Sequence, residues 1–535
     1  MSEQAAAALS RTNFSTLDWG IVIAYLAISV AIGLLVRKYA TTMTAYIVAG
    51  RGLGVWLGIA TMAGTEMGLI TVMYSAEKGF KGGFAAFHIA VLAGIVTFMV
   101  GLTGFIVAPL RELGVLTIPE YYERRYGRKT RVLGGVMLAF GGILNMGLFL
   151  KVGSMFIVGV TGMSQEGWAL AAVMSVLLLL VLVYTVLGGM ISVVLTDYVQ
   201  FVVLSFGLLI TTVIAVAKLG WQTIFDTVQD RMGSAGLNPL ESEGAFGVEY
   251  VLWMAFLGLV SCALWPTAVA RALAMESTEA VKKQYRWSAL SFTVRLLVPY
   301  FWGICAFVFI VTQAPDLAPL FGLGEESLAE SETVSSLYAM PIFIGRILPA
   351  GLLGLMSAAM IAAFMSTHDS YLLCWSSVLV QDVIAPLRKE PLSTLARVKL
   401  TRILIVVIGA YIWVWGLFYT GSDDIWDYMA ITGAIYFTGA FALLAGGLYW
   451  KQASSTGAFC ALLAGFTAIL GLGPVREAVG GRLLSLLGWD ATPKAVDAVF
   501  GSARVGLGTI CFTLIVYVVG SLLWPDPKPR AKTNA

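Results

Sequence analysis

The stretch GLGVWLGIATMAGTEMGLI, Gly52 to Ile70, decides how the rest of this chain is read. It is apolar enough for a membrane-crossing helix, yet it carries five glycines (Gly52, Gly54, Gly58, Gly64, Gly68) and a polar island, Thr65/Glu66, in its middle. Glycine weakens a helix interior, and a glutamate in hydrocarbon is costly without a partner or a task. The pattern predicts a span interrupted halfway. A similar interruption recurs five spans later at SCALWPT, Ser261 to Thr267. Paired Gly/Pro-interrupted spans in corresponding positions of two halves point to an inverted-repeat transporter, because unwound backbone exposes carbonyls and half-helix ends to ligands. Ordinary glycine packing between helices is the competing reading.

Composition supplies the membrane. Of 535 residues, 59% are hydrophobic and only 12% charged, with a mean hydropathy of +0.85, whereas soluble domains carry about 25% charged residues. With 58 glycines against 16 prolines the chain is compatible with helix. Uncharged runs of about 20 residues exclude the weaker alternation of a membrane β-barrel, so the expected class is an all-α membrane protein. Residues 1–16 lack a basic n-region and a small-residue cleavage site, and the segment after them reads as a retained span rather than a signal peptide. Cys262, Cys305, Cys374, Cys460 and Cys511 lie in apolar runs without CxxC spacing, which argues against disulfide or zinc frameworks. A net charge of +3 is too small to argue for nucleic acid.

Apolar runs long enough to cross about 30 Å of hydrocarbon number about thirteen, beginning near residues 17, 53, 82, 132, 167, 190, 248, 286, 338, 398, 426, 455 and 503. The first is numbered span 0 and the rest spans 1 to 12. The intervening loops sort by sign. Arg37/Lys38, residues 111–131, 271–286 and 388–402, Lys451 and Lys528/Arg530/Lys532 are basic. They alternate with loops bearing Asp226/Asp230/Glu241/Glu243, Asp316/Glu325/Glu326/Glu330/Glu332 and Asp423/Asp424. The positive-inside rule then places the N-terminus outside and the C-terminus in the cytoplasm of a cell whose cytoplasmic (inner) membrane holds the chain. TIPEYYERRYG, Thr117 to Gly127, reads as an amphipathic interfacial helix.

Several blocks together resemble the sodium/solute symporter family, the group of sodium/glucose, sodium/proline, sodium/iodide and sodium/sialic-acid carriers. They are AYIVAGRGLG (Ala45 to Gly54), TIPEYYERRYG, YTVLGGMISVVLTDYVQ (Tyr184 to Gln200), WPTAVARALA (Trp265 to Ala274) and AAFMSTHDSYLLCWSSVLVQDV (Ala362 to Val383). The resemblance runs in one order from about residue 17 to about 475. It implies a five-plus-five inverted repeat of the leucine-transporter type. The divisions are residues 1–48 (N-terminal segment and span 0), 49–218 (first repeat), 219–247 (extracellular loop), 248–452 (second repeat) and 453–535 (spans 11 and 12 and the tail).

The resemblance also implies a principal sodium site made of the carbonyls of Gly64, Met67 and Ala363 and the hydroxyls of Ser366 and Thr367. Sodium suits such a set, because it needs five or six hard oxygens with little net charge. Taken alone, a Ser/Thr pair more often bonds back to its own helix. A second sodium, on Asp197, Ser366, Asp369 and Ser370, is the analogue of a site in two-sodium relatives; a structural or gating hydrogen bond is the alternative for Asp197. Each sodium ion falling through about 100 mV gains about 2.3 kcal/mol, and a roughly tenfold gradient adds about 1.4 kcal/mol, enough for several-hundredfold accumulation of a neutral solute.

For the solute, the residues singled out are Glu66, Thr65, Lys151, His88, Cys262, Trp265 and Pro266. Glu66, Lys151 and His88 are ionisable groups inside spans, which marks them for function. In the family's sialic-acid carriers a basic residue of span 3 binds the substrate carboxylate, and Lys151 falls near that position. Either Lys151 holds a carboxylate while Glu66 binds an ammonium group or balances the lysine, or the two form a buried ion pair, or Lys151 snorkels. His88, Trp265 and Cys262 have packing as their plain alternative. Span 6 offers Cys262 and Gly258 where proline carriers have aromatics, and span 2 offers His88 and Ala90 where an acidic group is expected in galactose carriers. The expected activity is sodium-coupled secondary active import of a small organic solute, a carboxylate or zwitterion, by alternating access, with Na+ as coupling ion, the lipid bilayer as its surroundings and no obligate protein partner. A proton-coupled carrier of the same fold and a transporter-like sensor are the alternatives. Two histidines and no GxxxxGK[ST] leave little for an enzyme.

Overall fold

The computed structural model describes residues 3–36, 51–164, 168–241, 244–323, 333–419 and 424–527, with the side chains of residues 3–5, 29, 30, 32–36, 184 and 187–201 left out of the description. Its principal helices, in chain order, are α1 (Thr16–Val36), α2 (Val55–Glu66), α3 (Leu69–Gly82), α4 (Phe87–Thr103), α5 (Ile118–Tyr126), α6 (Arg128–Asn145), α7 (Phe149–Thr161) and α8 (Trp168–Leu219). They continue with α9 (Val248–Leu259), α10 (Pro266–Leu273), α11 (Thr278–Thr312), α12 (Leu352–Val378), α13 (Thr394–Phe418), α14 (Ile425–Tyr449), α15 (Ser455–Gly465) and α16 (Ser502–Leu523). Among the described residues there is no strand, only one isolated bridge between Leu53 and Met275.

Nine helical runs among the described residues are long and apolar enough to cross a bilayer, or ten if the bent pair Ser455–Gly471 and Gly473–Leu486 is one span. Thirteen were expected. Part of the difference lies at α8, a single helix of 52 residues where two consecutive spans were anticipated. At about 1.5 Å per residue it is about 78 Å long, more than twice the hydrocarbon thickness, and of its described portion Val202–Leu219 meets the span criterion. The other part lies at the 21-residue helix Thr16–Val36, whose fully described portion ends at Ile28, and at Ser336–Ile347, whose apolar stretch is shorter.

Two breaks shape the centre. At the first, Met67 (φ −103°, ψ 65°) leaves the helical region and Gly68 is extended, separating α2 from α3. At the second, Val260–Leu264 forms a π turn and Trp265 is extended (φ −69°, ψ 124°) before Pro266 opens α10. The ring of a proline drives the preceding residue out of the helical region and sits without strain at a helix start. Both interruptions fall where the glycine and proline pattern put them.

The long helix α11 runs beside both α3 and α4. It crosses α3 at Gly79 and Gly303, where a Cβ on Gly303 would fall on the Ala76 carbonyl and one on Gly79 on that of Tyr300. Backbone contact this close is the packing that small residues allow between membrane helices. α12 is buried along nearly its whole length and packs on α1, α2, α8 and α13. The interfacial helix forms as expected: the Thr117 hydroxyl accepts from the Glu120 amide (3.2 Å), the Glu120 carboxylate accepts from the Leu116 amide (2.8 Å), and Gly127 (φ 98°) ends it. This resembles a capping box, with the Glu120 carboxylate taking the amide one residue before the N-cap Thr117.

Candidate functional site

The first break faces α12. A Cβ on Gly68 would land on Thr367 Oγ1 and lie 3.0 Å from Thr367 Cβ. Gly68 has φ −81° and ψ 162°, which any residue adopts, so what glycine supplies here is room for Thr367. Gly64 and Met67 on the α2 side, and Ala363, Ser366 and Thr367 on the α12 side, are all buried. Thr367 Oγ1 also donates to the Ala363 carbonyl (3.0 Å), the back-bond common to helix threonines. The five residues expected to hold sodium thus lie on the two helices that meet at the break. Among the described residues no group of three or more His, Cys, Asp or Glu could hold a metal.

Beside the break lies a cavity of about 90 Å³, and Thr65, Glu66 and Trp265 are among the residues that line it. Glu66 meets a partner that the sequence reading left out. Arg295 on α11 donates from Nη1 to Glu66 Oε2 (3.0 Å) and to the Glu66 carbonyl (2.8 Å), while the Thr267 hydroxyl donates to Glu66 Oε1 (2.8 Å). The side chains are 6% and 9% exposed, so the pair is desolvated and neither charge is tolerable alone. Tyr74, Trp426 and Tyr371 complete an aromatic frame, Tyr371 accepting from Trp265 Nε1 (2.7 Å).

Four expected solute residues lie elsewhere. Lys151 does not meet Glu66. It lines a separate cavity of about 830 Å³ and donates to the Tyr419 carbonyl (3.1 Å). Of the alternatives for Lys151, the ion pair with Glu66 is not formed: Glu66 pairs with Arg295 instead, because α11 and not α7 carries a cation to the break. His88 bonds the Ala85 carbonyl (2.6 Å) and packs edge-on against Phe246 and Tyr250. Cys262 is fully buried with its thiol on the Leu259 carbonyl (3.5 Å). Pro266 faces a third cavity, with Arg271 and Ser370.

The residues considered for a second cation are split. The Asp197 side chain lies outside the described residues. Asp369 is fully buried and accepts from Ser370 (3.2 Å), and Ser370 accepts in turn from Arg271 Nη2 (2.9 Å), which also donates to Thr65 (2.6 Å). A guanidinium thus already stands on one of the anticipated ligands.

The cavity at the break and the one lined by Lys151 share walls. Ile70, Thr71 and Tyr74 of α3 line the small one and Glu77, Phe80 and Lys81 the large one; on α14, Met429 and Ala430 line the small one and Ile425 the large one. Between them Lys78 bridges Asp424 (2.8 Å) and Asp427 (2.9 Å), Lys81 bonds Asp424 and Glu77, Ser336 donates to Glu77 (2.8 Å), and Tyr250 donates to Asp427 (3.1 Å). Burial raises the Asp424 carboxyl, but Lys78 and Lys81 together outweigh it and hold it below the ordinary range.

Arg295 and Arg271 carried a legible signal, each being a lone cation in an apolar or half-apolar run. Asn145, Tyr74 and Trp426 carried none, since such residues are ordinary in a helix bundle.

The sodium:solute symporter family matches residues 46–465. Sodium/glucose cotransporter 4 of Danio rerio is 24% identical over 84% of this chain and 70% of its own length. The sodium/proline symporter of Staphylococcus aureus (strain Newman) is 23% identical over 94% of this chain and 92% of its own. Among solved structures, a substrate-bound, outward-open Na+-coupled sialic acid symporter superposes with a TM-score of 0.74 at 20% identity, over 96% of this chain and all of that one. MhsT in complex with L-phenylalanine gives 0.52 at 14% identity, over 87% and 99%. These likenesses establish the fold.

Proposed function

The chain belongs to the sodium:solute symporter family, and on that premise we propose that it imports a small organic solute, a carboxylate or a zwitterion, by sodium-coupled alternating access. The relatives are cotransporters and symporters by name, not enzymes. One observation supports the reading most: the first break contributes both, through Gly68, to the close approach of Thr367 and, through the adjoining Thr65 and Glu66, to the small cavity, which Thr367 also lines. Ion and solute would then share one stretch of unwound backbone, and occupation of either would order it for the other, which is reciprocal coupling.

In this reading sodium rests on the carbonyls of Gly64, Met67 and Ala363 and the hydroxyls of Ser366 and Thr367. The solute occupies the cavity framed by Glu66, Arg295 and Trp265, and Lys151 meets it first in the large cavity as a cation at the mouth. The two breaks belong to inverted repeats over residues 49–218 and 248–452. The chain sits in the cytoplasmic membrane with the large cavity outside and the basic loops inside, as the loop charges favour.

Uptake into proteoliposomes under imposed gradients tests this. Uptake driven by inward sodium and unaffected by a proton gradient is expected. Uptake that persists without sodium and follows pH instead would replace sodium coupling by proton coupling.

A further inference from the structure

We infer that the solute taken by the Glu66–Arg295 cavity is a small zwitterion whose ammonium group keeps at least one N–H, rather than a simple carboxylate or a sugar; this rests on the symport reading above. Two features of the cavity wall carry it. The first is the pair itself. Glu66 and Arg295 both line the cavity and already neutralise each other. A ligand with one charge that took Arg295 would leave Glu66 buried and uncompensated, and one that took Glu66 would strand Arg295, each a heavy loss. A zwitterion replaces both halves at once, its carboxylate on the guanidinium and its ammonium on the glutamate.

The second feature is what the wall leaves unbonded. Arg295 Nε and Asn145 Oδ1 are buried and have no hydrogen-bond partner, on residues only 5% and 2% exposed that both line this cavity. The Asn145 orientation is fixed by its amide nitrogen, which donates to the Met429 carbonyl (2.7 Å), a group that can only accept. One spare donor on a cation and one spare acceptor on an amide ask for a ligand with a carboxylate and an N–H, since buried polar groups without partners are costly. The cavity volume of about 90 Å³ keeps the ligand small. Tyr74, Trp265 and Trp426 supply ring faces for the ammonium end or for a short aliphatic body.

The experiment is a thermal-shift panel on the full-length protein in detergent, in sodium and in potassium buffer. The probes are L-alanine, L-proline, glycine betaine (a zwitterion without N–H), propionate, ethylamine and glucose. Stabilisation by alanine or proline, weaker or absent with betaine, and absent with propionate, ethylamine and glucose is expected. Stabilisation by propionate, ethylamine or glucose equal to that by the amino acids overturns the inference, as does none from either amino acid. A shift by the amino acids that ignores sodium would keep this inference and remove sodium coupling, whereas a sodium-dependent shift by glucose alone would do the reverse. Asn145→Leu, which keeps the bulk and the ion pair, is expected to weaken the apparent affinity for alanine or proline at least tenfold, each shift being read against the variant's own unliganded melting point, and unchanged affinity would overturn the role given to its carbonyl oxygen.

Discussion

Gly68→Ala is the sharpest probe of the proposed sodium site, because it alters neither an ion ligand nor an allowed backbone conformation. The added methyl would overlap Thr367 Oγ1 and stand 3.0 Å from Thr367 Cβ and 3.2 Å from its Cγ2. Thr367 lies on the buried face of α12 and cannot simply swing away, so the overlap is relieved by separating α3 from α12. Overpacking a fixed contact costs about 1–3 kcal/mol, which at about 1.4 kcal/mol per factor of ten is a roughly 5- to 150-fold weaker hold on sodium. Trp265 and Trp426 flank the neighbouring cavity, so sodium titration followed by tryptophan fluorescence reads the effect directly, with equilibrium binding of radioactive sodium as a second measure. Thr367→Ala removes the hydroxyl and the Cγ2 methyl. The double variant Gly68→Ala/Thr367→Ala is therefore expected to pack better than Gly68→Ala alone, yet still to bind sodium weakly. A wild-type sodium constant in Gly68→Ala, or normal sodium affinity and uptake in Thr367→Ala, would refute the placement of the ion in this seam.

Arg295→Met is expected to cost about 3–5 kcal/mol in a denaturation series, since it strands a buried carboxylate, while adding Glu66→Gln should recover most of the loss; additive effects in that double-mutant cycle would mean the pair is not coupled. Lys78→Met removes the ion pairs from α3 to Asp424, at the N-cap of α14, and to Asp427 within it, and faster thiol labelling of a Val152→Cys probe in the large cavity is the expected outcome; an unchanged rate would show that these pairs do not restrain access to it. The Asp424 carboxyl is held low in the folded protein, so its contribution is complete above the unfolded value of about 4 and is lost only as pH falls below that. Stability referenced to Asp424→Asn should therefore be flat from pH 8 to 5, and a slope within that window would show that another group governs this ion-pair network.

Much of the architecture was legible from local pattern. The interruption at Gly64 to Gly68 and that at Trp265–Pro266 follow from glycine and proline chemistry within a few residues, and the Thr117 cap is written in adjacent side chains. Apolar run length located most spans, but it could not distinguish two consecutive spans from the continuous helix Trp168–Leu219, because both bury the same kind of surface.

The sequence by itself determined that this is a helical membrane protein with a broken span at Glu66, a buried hydroxyl pair at Ser366/Thr367 and charges that had to find partners. Which partners was decided only by tertiary structure. Glu66 and Arg295 are 229 residues apart, and Lys78 and Asp424 are 346 apart. Periodicity fixes which face of a helix a residue occupies but carries no information about which helix will face it. Lys151 looked the natural counterpart of Glu66 from its family position, yet α11 lies along α3 through backbone contact at Gly79 and Gly303, and that contact brings Arg295 to the break.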